Sequence, residues 1–199
     1  MSMIMKADLL CPSADFILHL DPDCIFCEPV TPDDYFVEGK PVLMYASYHW
    51  ITRRFNPWNL PPDQSYFMHW KRAVEAAIGG QSENEFMRRH PAIHYRKLYQ
   101  EARNLIEQHQ GVVNADIYII EQKNTFPQTF AEFPTLGEVA WRLFKNWYHW
   151  VNQETVGRPH DKLIEFWSHG PIDQLQELTW TDAPNRKFVP IEVIKKLLT

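Results

Sequence analysis

The feature that most constrains the fold is an apolar run that ends in two carboxylates, FILHLDPDCIF at residues 16–26. A short, nearly continuous run of large apolar side chains is typical of a strand buried in a parallel or mixed sheet. Asp21 and Asp23 follow this run and are separated only by Pro22. Because a carboxylate is costly to remove from water unless it is paired, the two acids need a partner at the end of the predicted strand.

A divalent cation is one such partner. Residues two apart in an extended backbone point to the same side, so Asp21 and Asp23 can converge on one ion. Mn²⁺ or Mg²⁺ would take two carboxylates together with water and phosphate oxygens. The carboxyl end of a strand is also where open α/β sheets bind ligands. The alternative is a solvated turn, because Asp-Pro-Asp is ordinary turn composition.

The rest of the chain predicts helices interleaved with strands, and therefore an α/β fold in which helices flank a mixed sheet. Apolar spacing and helix-ending residues predict helices at 2–11, 65–80, 91–111, 135–151 and 190–199, with one helical turn at 31–34. Strands are predicted at 15–21, 41–48, 116–122 and 162–170. A long loop is predicted at 49–65, and a connector with a short strand at 84–91.

Composition excludes several classes of protein. With 199 residues, 45% of them hydrophobic, the chain is predicted to form a single domain over 1–199. A net charge of −5 argues against a nucleic-acid binder, which usually needs a basic face. No stretch approaches the roughly 20 apolar residues of a membrane-spanning helix, and the first residues do not have the pattern of a signal peptide.

The three cysteines suit a reducing compartment, and we expect a cytoplasmic protein. Cys24 and Cys27 form a C-x-x-C motif, but no second pair completes a four-thiolate zinc site. The motif also leads into turn-rich sequence rather than into a helix, as a redox pair normally would. We therefore expect Cys11, Cys24 and Cys27 to be buried, inert thiols.

Three segments in the right order carry a resemblance to a known family. The strand with its acidic pair lies in ADFILHLDPDCIFCEPV (14–30) and is followed by DDYFVEGKPVL (33–43). An acidic, aromatic segment before a glycine, FAEFPTLGEVAW, occupies 130–141, and FWSHG occupies 166–170. Together they resemble the DxD-containing glycosyltransferases of the GT-A type, most closely a group of uncharacterised bacterial glycosyltransferase-like proteins.

The resemblance implies roles for four residues. Asp21 and Asp23 would hold Mn²⁺ or Mg²⁺ and, through it, the diphosphate of a nucleotide-sugar donor. His169 would be a third metal ligand, unless it is an ordinary turn histidine. Glu132 would be the general base that deprotonates an acceptor hydroxyl, with flanking aromatic rings partly desolvating it. It could equally hydrogen-bond the acceptor, or cap a helix that starts near Thr135.

Aromatic and basic residues elsewhere are candidates for contacts with the substrate. Trp50, Arg53, Arg54 and Trp58 lie on the predicted long loop, where they could reach the acceptor or the donor phosphates. Trp167 belongs to the FWSHG segment. A role as ordinary surface residues of a loop is the alternative for each residue of the predicted loop.

The resemblance also implies that a part of the GT-A fold is missing from this sequence. GT-A enzymes begin with a β-α-β unit that binds the nucleotide, whereas only 15 residues precede the strand here. A truncated product, a natural remnant and a partner chain that supplies the unit are the three explanations. Each leaves a sheet edge uncovered, which predicts self-association.

The sequence therefore predicts a metal-dependent glycosyltransferase, or a truncated form of one, that transfers a sugar from a nucleotide-sugar donor to a glycan or other hydroxyl acceptor. A lipid-linked acceptor would place it at the periphery of the membrane. The alternative is a non-catalytic module that keeps the fold and binds glycan or protein. A two-metal nuclease or phosphatase is disfavoured because there is no further acidic cluster.

Overall fold

The computed structural model describes residues 4–20, 24–26, 29–54, 61–87, 91–123, 130–156, 163–167 and 176–177. Within these ranges helices and strands are interleaved, which confirms the mixed α/β class. The helices are α1 (Ala7–Leu10), α2 (Tyr48–Arg54), α3 (Tyr66–Ile78), α4 (Arg96–Gln110), α5 (Ala115–Lys123), α6 (Glu132–Leu143) and α7 (Gln153–Val156). The strands are β1 (Phe16–His19), β2 (Cys24–Phe26), β3 (Phe36–Val37), β4 (Lys40–Ser47), β5 (Asn84–Glu85), β6 (Ala92–Tyr95), β7 (His149–Asn152), β8 (Leu163–Trp167) and β9 (Gln176–Glu177).

Strand pairing in the described part of the chain is mostly antiparallel. β1 pairs antiparallel with β6, with Phe16 opposite Tyr95 and His19 opposite Ala92. β4 pairs antiparallel with β3 and β5, and parallel with β7. β8 pairs antiparallel with both β2 and β9. The strand predicted before Asp21 is therefore confirmed as a strand, but the expectation that it is buried within a parallel or mixed sheet is wrong. Leu18 is exposed, and the described neighbour β6 runs antiparallel to it.

Three helices pack around one apolar core beside the strands. On α4, Leu98, Ala102 and Ile106 are fully buried, and their spacing of four places them on one face. This face meets buried residues of α3 and α6 within a single cluster. Burying a leucine or isoleucine side chain contributes about 1.5–3 kcal/mol, so the cluster holds the three helices as one unit.

A buried ion pair fixes α1 on α4. Arg103 donates two hydrogen bonds to the Asp8 carboxylate, Nη1 to Oδ1 and Nη2 to Oδ2, each 2.7 Å long. Nη1 also donates to the backbone carbonyl of Met5 at 2.6 Å. Both side chains are almost fully buried. The bidentate hydrogen bonds pair the two charges, which would be costly to bury in an apolar setting without a partner.

Two of the sequence predictions are wrong because helix chemistry outweighs residue preference. Residues 116–122 form helix α5 rather than a strand, although they are rich in isoleucine. Asn114 begins this helix, since its side-chain oxygen accepts a hydrogen bond from the Asp116 N–H at 2.8 Å. The buried positions then follow helical spacing: Ala115, Tyr118 and Ile119. Likewise, the predicted loop at 49–65 begins with helix α2, on which Tyr48, Ile51 and Thr52 are buried.

Two predicted helices have the wrong bounds because part of each forms a strand. The helix predicted at 91–111 begins only at Arg96, since Ala92–Tyr95 forms strand β6, and it ends before Gly111 as expected. The helix predicted at 135–151 begins earlier, at Glu132, and ends at Leu143. A 3₁₀ turn at Lys145–Trp147 and strand β7 follow, where Trp150 packs on Trp141 with ring centroids 4.8 Å apart.

The other predictions hold where the structure describes them. The first helix, the strands near 41–48 and 162–170, the helical turn at Pro32–Asp34, the helix ending before Gly79 and the short strand at 84–85 are all present. The helix predicted at 190–199 lies outside the described residues. Cys11 is exposed, so the expectation of a buried thiol is wrong there. In the described part of the chain, none of the helices has the length and apolar character needed to cross a membrane.

Gly137 allows α6 to approach β5 closely. A Cβ built at this position would lie 2.2 Å from Cβ of Phe86, which is itself buried. Alanine normally stabilises a helix interior relative to glycine by about 1 kcal/mol. Here the overlap outweighs that gain, and we expect Gly137→Ala to lower the free energy of unfolding by about 1–3 kcal/mol in urea denaturation.

A double-mutant cycle identifies the cause. Phe86→Leu should absorb part of the cost, so that the Gly137→Ala/Phe86→Leu pair is less destabilised than the sum of the two single variants. If the two losses of stability were strictly additive, the close approach of Phe86 would not be the reason why position 137 needs a glycine.

Candidate functional site

The structure describes only some of the residues that the sequence predicts for the site. Asp21, Asp23, Trp58 and His169 lie outside the described residues. Trp167 is the last residue of β8, where its backbone pairs with Gln176. The remaining candidates, Glu132, Trp50, Arg53 and Arg54, lie on the two helices α6 and α2.

Glu132 belongs to the helical turn that contacts the end of strand β1. It is the first residue of α6, and its side chain is partly buried. The ring of the following residue, Phe133, packs edge-on against the ring of His19, with centroids 5.6 Å apart and planes at 78°. Because His19 is the last residue of β1 and stands two positions before Asp21 in the sequence, the first turn of α6 lies beside the strand that leads into the acidic pair.

The start of α6 differs from the expectation in one respect. Glu132 does not precede a helix that starts near Thr135 but occupies the first turn itself, with Ala131 as the N-cap residue. Pro134 is tolerated there because the first N–H groups of a helix have no partner within the helix. A carboxylate in this turn interacts favourably with the helix dipole.

His19 is a site residue that the sequence analysis did not select. Its imidazole Nε2 lies 2.5 Å from the hydroxyl oxygen of Tyr99, which is fully buried on α4. Burial, followed by the nearby Tyr148 and Asp8, raises the pKa of Tyr99, so this hydroxyl keeps its proton. The signal in the sequence was a histidine inside an apolar strand at the same alternation as Asp21 and Asp23.

A second histidine lies behind His19. His94 on β6 is fully buried, and its ring centroid is 6.4 Å from that of His19. The Tyr148 hydroxyl accepts a hydrogen bond from the Tyr95 N–H at 3.2 Å and lies 3.4 Å from His94 Nδ1. Burial, and then the charge of His19, lowers the pKa of His94 to about 3, so His94 is neutral at physiological pH.

Hydrogen bonds from Arg96 tie the start of α4 to the start of β1. Its backbone N–H donates to the carbonyl of Asp15 at 3.0 Å, and its Nε donates to the carbonyl of Ala14 at 2.9 Å. Arg96 is the first residue of α4, and Tyr99 follows one turn later. Strand β1, strand β6 and helix α4 are therefore joined at the residues that carry His19, His94 and Tyr99.

The candidates on α2 lie on a helix that packs outside the main core. Arg53 and Arg54 are exposed in the last turn of α2, three and four positions after the partly buried Trp50. The helix packs through Tyr48 and Ile51 against Phe67 on α3, in an apolar cluster separate from the main core. The expectation that these residues lie on a loop is wrong, since they belong to helix α2.

A groove between α1 and α4 is a further surface feature. Its lining combines the exposed ring of Trp147 with charged and polar side chains, and the Lys97 ammonium lies 6.0 Å from the centre of that ring. The main lining residues are Leu9, Arg96, Lys97, Gln100, Glu101 and Trp147. Neither His19 nor Glu132 lines this groove, so it is distinct from the end of β1.

No protein-family model, curated protein or solved structure matches the chain. Over the residues that the structure describes, no three His, Cys, Asp or Glu side chains are grouped closely enough to hold a metal ion. Assignment of a function therefore rests on the residues at the end of β1 and on the sequence that follows them.

The buried His94 predicts how stability depends on pH. The unfolded chain binds a proton at the ordinary histidine pKa of 6.5, whereas folded His94 binds one only near 3. Protonation between these values favours the unfolded state, so stability is complete above pH 6.5 and is lost as the pH falls. We expect His94 to contribute up to about 1.4 kcal/mol per pH unit to this slope.

Urea unfolding at about pH 7.5 and about pH 5 measures that slope. His94→Gln should reduce the slope, and His149→Gln, at an exposed position on β7, should leave it unchanged. If the slope were as steep in His94→Gln as in the wild type, the lowered pKa of His94 would not be the cause of the pH dependence.

Proposed function

We propose that the chain is a metal-dependent glycosyltransferase of the GT-A type, or a part of one, which transfers a sugar from a nucleotide-sugar donor to an acceptor hydroxyl. The observation that carries the proposal is the contact between Phe133 and His19. It joins the two segments that the resemblance assigns to opposite sides of the reaction, the strand before Asp21 and Asp23 on the donor side and Glu132 on the acceptor side.

The donor side would consist of Asp21, Asp23 and the end of β1. Two carboxylates two positions apart suit Mn²⁺ or Mg²⁺, which prefer oxygen ligands, and His169 is a further candidate ligand. When bound, the ion would offset the negative charge that develops on the leaving diphosphate. The rigid pairing of β1 with β6 supports this assignment, because a catalytic site needs its groups held in place.

The acceptor side would consist of Glu132 and its surroundings. As general base, its carboxylate would take the proton of the acceptor hydroxyl while the oxygen attacks the anomeric carbon and the bond to the diphosphate breaks. This route inverts the configuration of the sugar. Partial burial at the start of α6 supports the role, since it limits water around the carboxylate without removing access.

The basic and aromatic residues would bind the substrates. Arg53 and Arg54, exposed at the end of α2, suit donor phosphates, because guanidinium groups bind phosphate oxygens through paired hydrogen bonds. Trp50, Trp58 and Trp167 suit the faces of sugar rings. We further propose a cytoplasmic location, or one at the periphery of the membrane if the acceptor is lipid-linked, with self-association through an uncovered sheet edge.

One observation favours the second candidate, a non-catalytic module that binds glycan or protein. The groove at Trp147 combines an exposed indole with Arg96, Lys97, Gln100 and Glu101, a mixture that suits hydroxyl-rich ligands. Glycan binding that needs no divalent cation, is lost in Trp147→Ala and is retained in Asp23→Ala would support the module over the enzyme.

Divalent cation binding tests the donor side. At a Mn²⁺ concentration of about 100 times the Kd, we expect stabilisation of about 2.7 kcal/mol and a rise in Tm of about 5–10 °C. Asp23→Ala should abolish the rise, because one carboxylate cannot replace the pair. The matched control is Asp33→Ala, at an exposed aspartate in the Pro32–Asp34 turn, which should keep it. A wild-type Tm that Mn²⁺ does not change would count against the metal-dependent mechanism.

Glu132→Gln tests the acceptor side. We expect sugar transfer to fall by roughly 10²–10⁴-fold, because the amide cannot accept the proton, while the Mn²⁺-dependent rise in Tm stays the same. The assay measures transfer of labelled sugar from a panel of nucleotide-sugars to glycan acceptors. Glu121→Gln, on the exposed side of α5, is the control. Unchanged transfer by the folded Glu132→Gln variant would remove Glu132 from the mechanism.

A further inference from the structure

The groove between α1 and α4 has the size and the mixed lining of a small-molecule site. Its volume is about 610 Å³, within the roughly 300–1,000 Å³ that such sites occupy. The indole of Trp147 forms one side, and the first turns of α4 form another with Arg96, Lys97, Gln100 and Glu101. Apolar, cationic and hydrogen-bonding groups therefore face one space.

We propose that this groove binds a saccharide that carries a carboxylate, with a sugar ring on the Trp147 indole and the carboxylate on Arg96 and Lys97. The inference rests on the second candidate function, in which the groove binds glycan, and it names the class of glycan. It involves none of the residues proposed for sugar transfer, since neither Glu132 nor the described substrate-binding candidates line the groove.

The Trp147 ring is a preformed platform for a sugar ring. It is 41% exposed, yet it packs edge-on against Tyr95 and Phe144, with ring centroids 4.9 Å and 5.3 Å apart and planes at 77° in both pairs. These contacts hold the indole in place, so little side-chain freedom is lost when a ligand packs on it. The apolar face of a sugar ring suits such an indole, whose exposed area is otherwise in contact with water.

Arg96 and Lys97 are two cations without an anionic partner in the described part of the chain. The Arg96 Nε donates to the carbonyl of Ala14 at 2.9 Å, which anchors the guanidinium, while its two Nη groups form no hydrogen bond with a described residue. The Lys97 ammonium lies 6.0 Å from the centre of the Trp147 ring and forms no ion pair with Glu101, four positions on, where such a pair is common. Both cations can therefore bind a carboxylate beside the indole.

The charges around the groove match a single carboxylate. The Asp8 carboxylate also lines it, but both of its oxygens accept hydrogen bonds from Arg103, so this charge is already paired. Arg96, Lys97 and Glu101 then leave one positive charge in excess. Since the whole chain carries a net charge of −5, this local excess marks a place where an anion is attracted rather than repelled.

A nucleotide is the main competing ligand, because its base would stack on the indole and its phosphates would bind the two cations. A diphosphate carries several negative charges and would meet the Glu101 carboxylate, so one excess positive charge suits it poorly. A carboxylated sugar needs only that one charge. Its hydroxyl groups can donate to Glu101, and they can exchange hydrogen bonds with the exposed amide of Gln100.

NMR titration of the ¹⁵N-labelled protein with cellobiouronic acid, a disaccharide with one carboxylate, and with its neutral methyl ester tests the proposal. The two ligands differ only in the charge and in the ester methyl group. We expect the acid to bind about 10–100-fold more tightly than the ester, in the presence of EDTA. Galacturonosyl-galactose and its methyl ester repeat the comparison with a different sugar stereochemistry.

Two variants assign the binding to the groove. Lys97→Gln should weaken binding of the acid about 10-fold and leave the affinity for the ester unchanged, because only the acid pairs with the ammonium. Trp147→Ala should weaken both ligands about 10-fold or more, because the platform is lost. Lys40→Gln, at an exposed lysine of β4 that does not line the groove, is the control and should bind both ligands as the wild type does. Lys97 is itself exposed, so its variant keeps the proposal testable even if Trp147→Ala destabilises the fold.

The outcomes separate this inference from the glycan-binding function. Equal binding of acid and ester would overturn the carboxylate site and leave glycan binding in place. Binding of the acid that is unchanged in Lys97→Gln and in Trp147→Ala would overturn the assignment to this groove. Binding of UDP that Trp147→Ala abolishes, with no binding of either acid, would overturn the inference in favour of a nucleotide site. If neither the acids nor the esters bind, the inference and the glycan-binding function are both overturned.

Discussion

The pairing of β1 with β6 is the interaction on which the candidate site depends. It places His19 opposite Ala92 at one end of the pair, and Arg96 ties the other end through its hydrogen bonds to Asp15 and Ala14. Tyr99 then reaches His19 from the helix that continues β6. Because the backbone ladder, a helix start and a buried hydroxyl all act on this short strand, its last residue has little freedom.

The position of the first turn of α6, with Glu132 and Phe133, depends on how closely this helix packs against the strands. Gly137 removes the side chain that would collide with Phe86, and the helix can therefore lie against the strands with its first turn at the end of β1. Phe133 makes the resulting contact with His19. Two elements far apart in the sequence thus meet through a core packing interaction, and the proposed chemistry needs both of them to be rigid.

Local sequence predicted much of this fold, but only where pattern and packing agree. The strand before Asp21 and the helix ending before Gly111 follow directly from apolar runs and glycine. Residues 116–122 were predicted wrongly because isoleucine favours strands, whereas Asn114 and the packing of α5 decide the outcome. For the site, the resemblance predicted an acceptor-side role for Glu132, which stays a prediction. It could not predict the approach of Tyr99 to His19, which depends on pairing between distant segments.

The most direct test of the account is the position of a bound cation. Crystals soaked with Mn²⁺ and measured at the manganese absorption edge give an anomalous signal that locates the ion without assumptions about its ligands. The account predicts a single strong peak within coordination distance of Asp21 and Asp23. A peak at another surface, or no ordered Mn²⁺ in well-diffracting crystals, would contradict it.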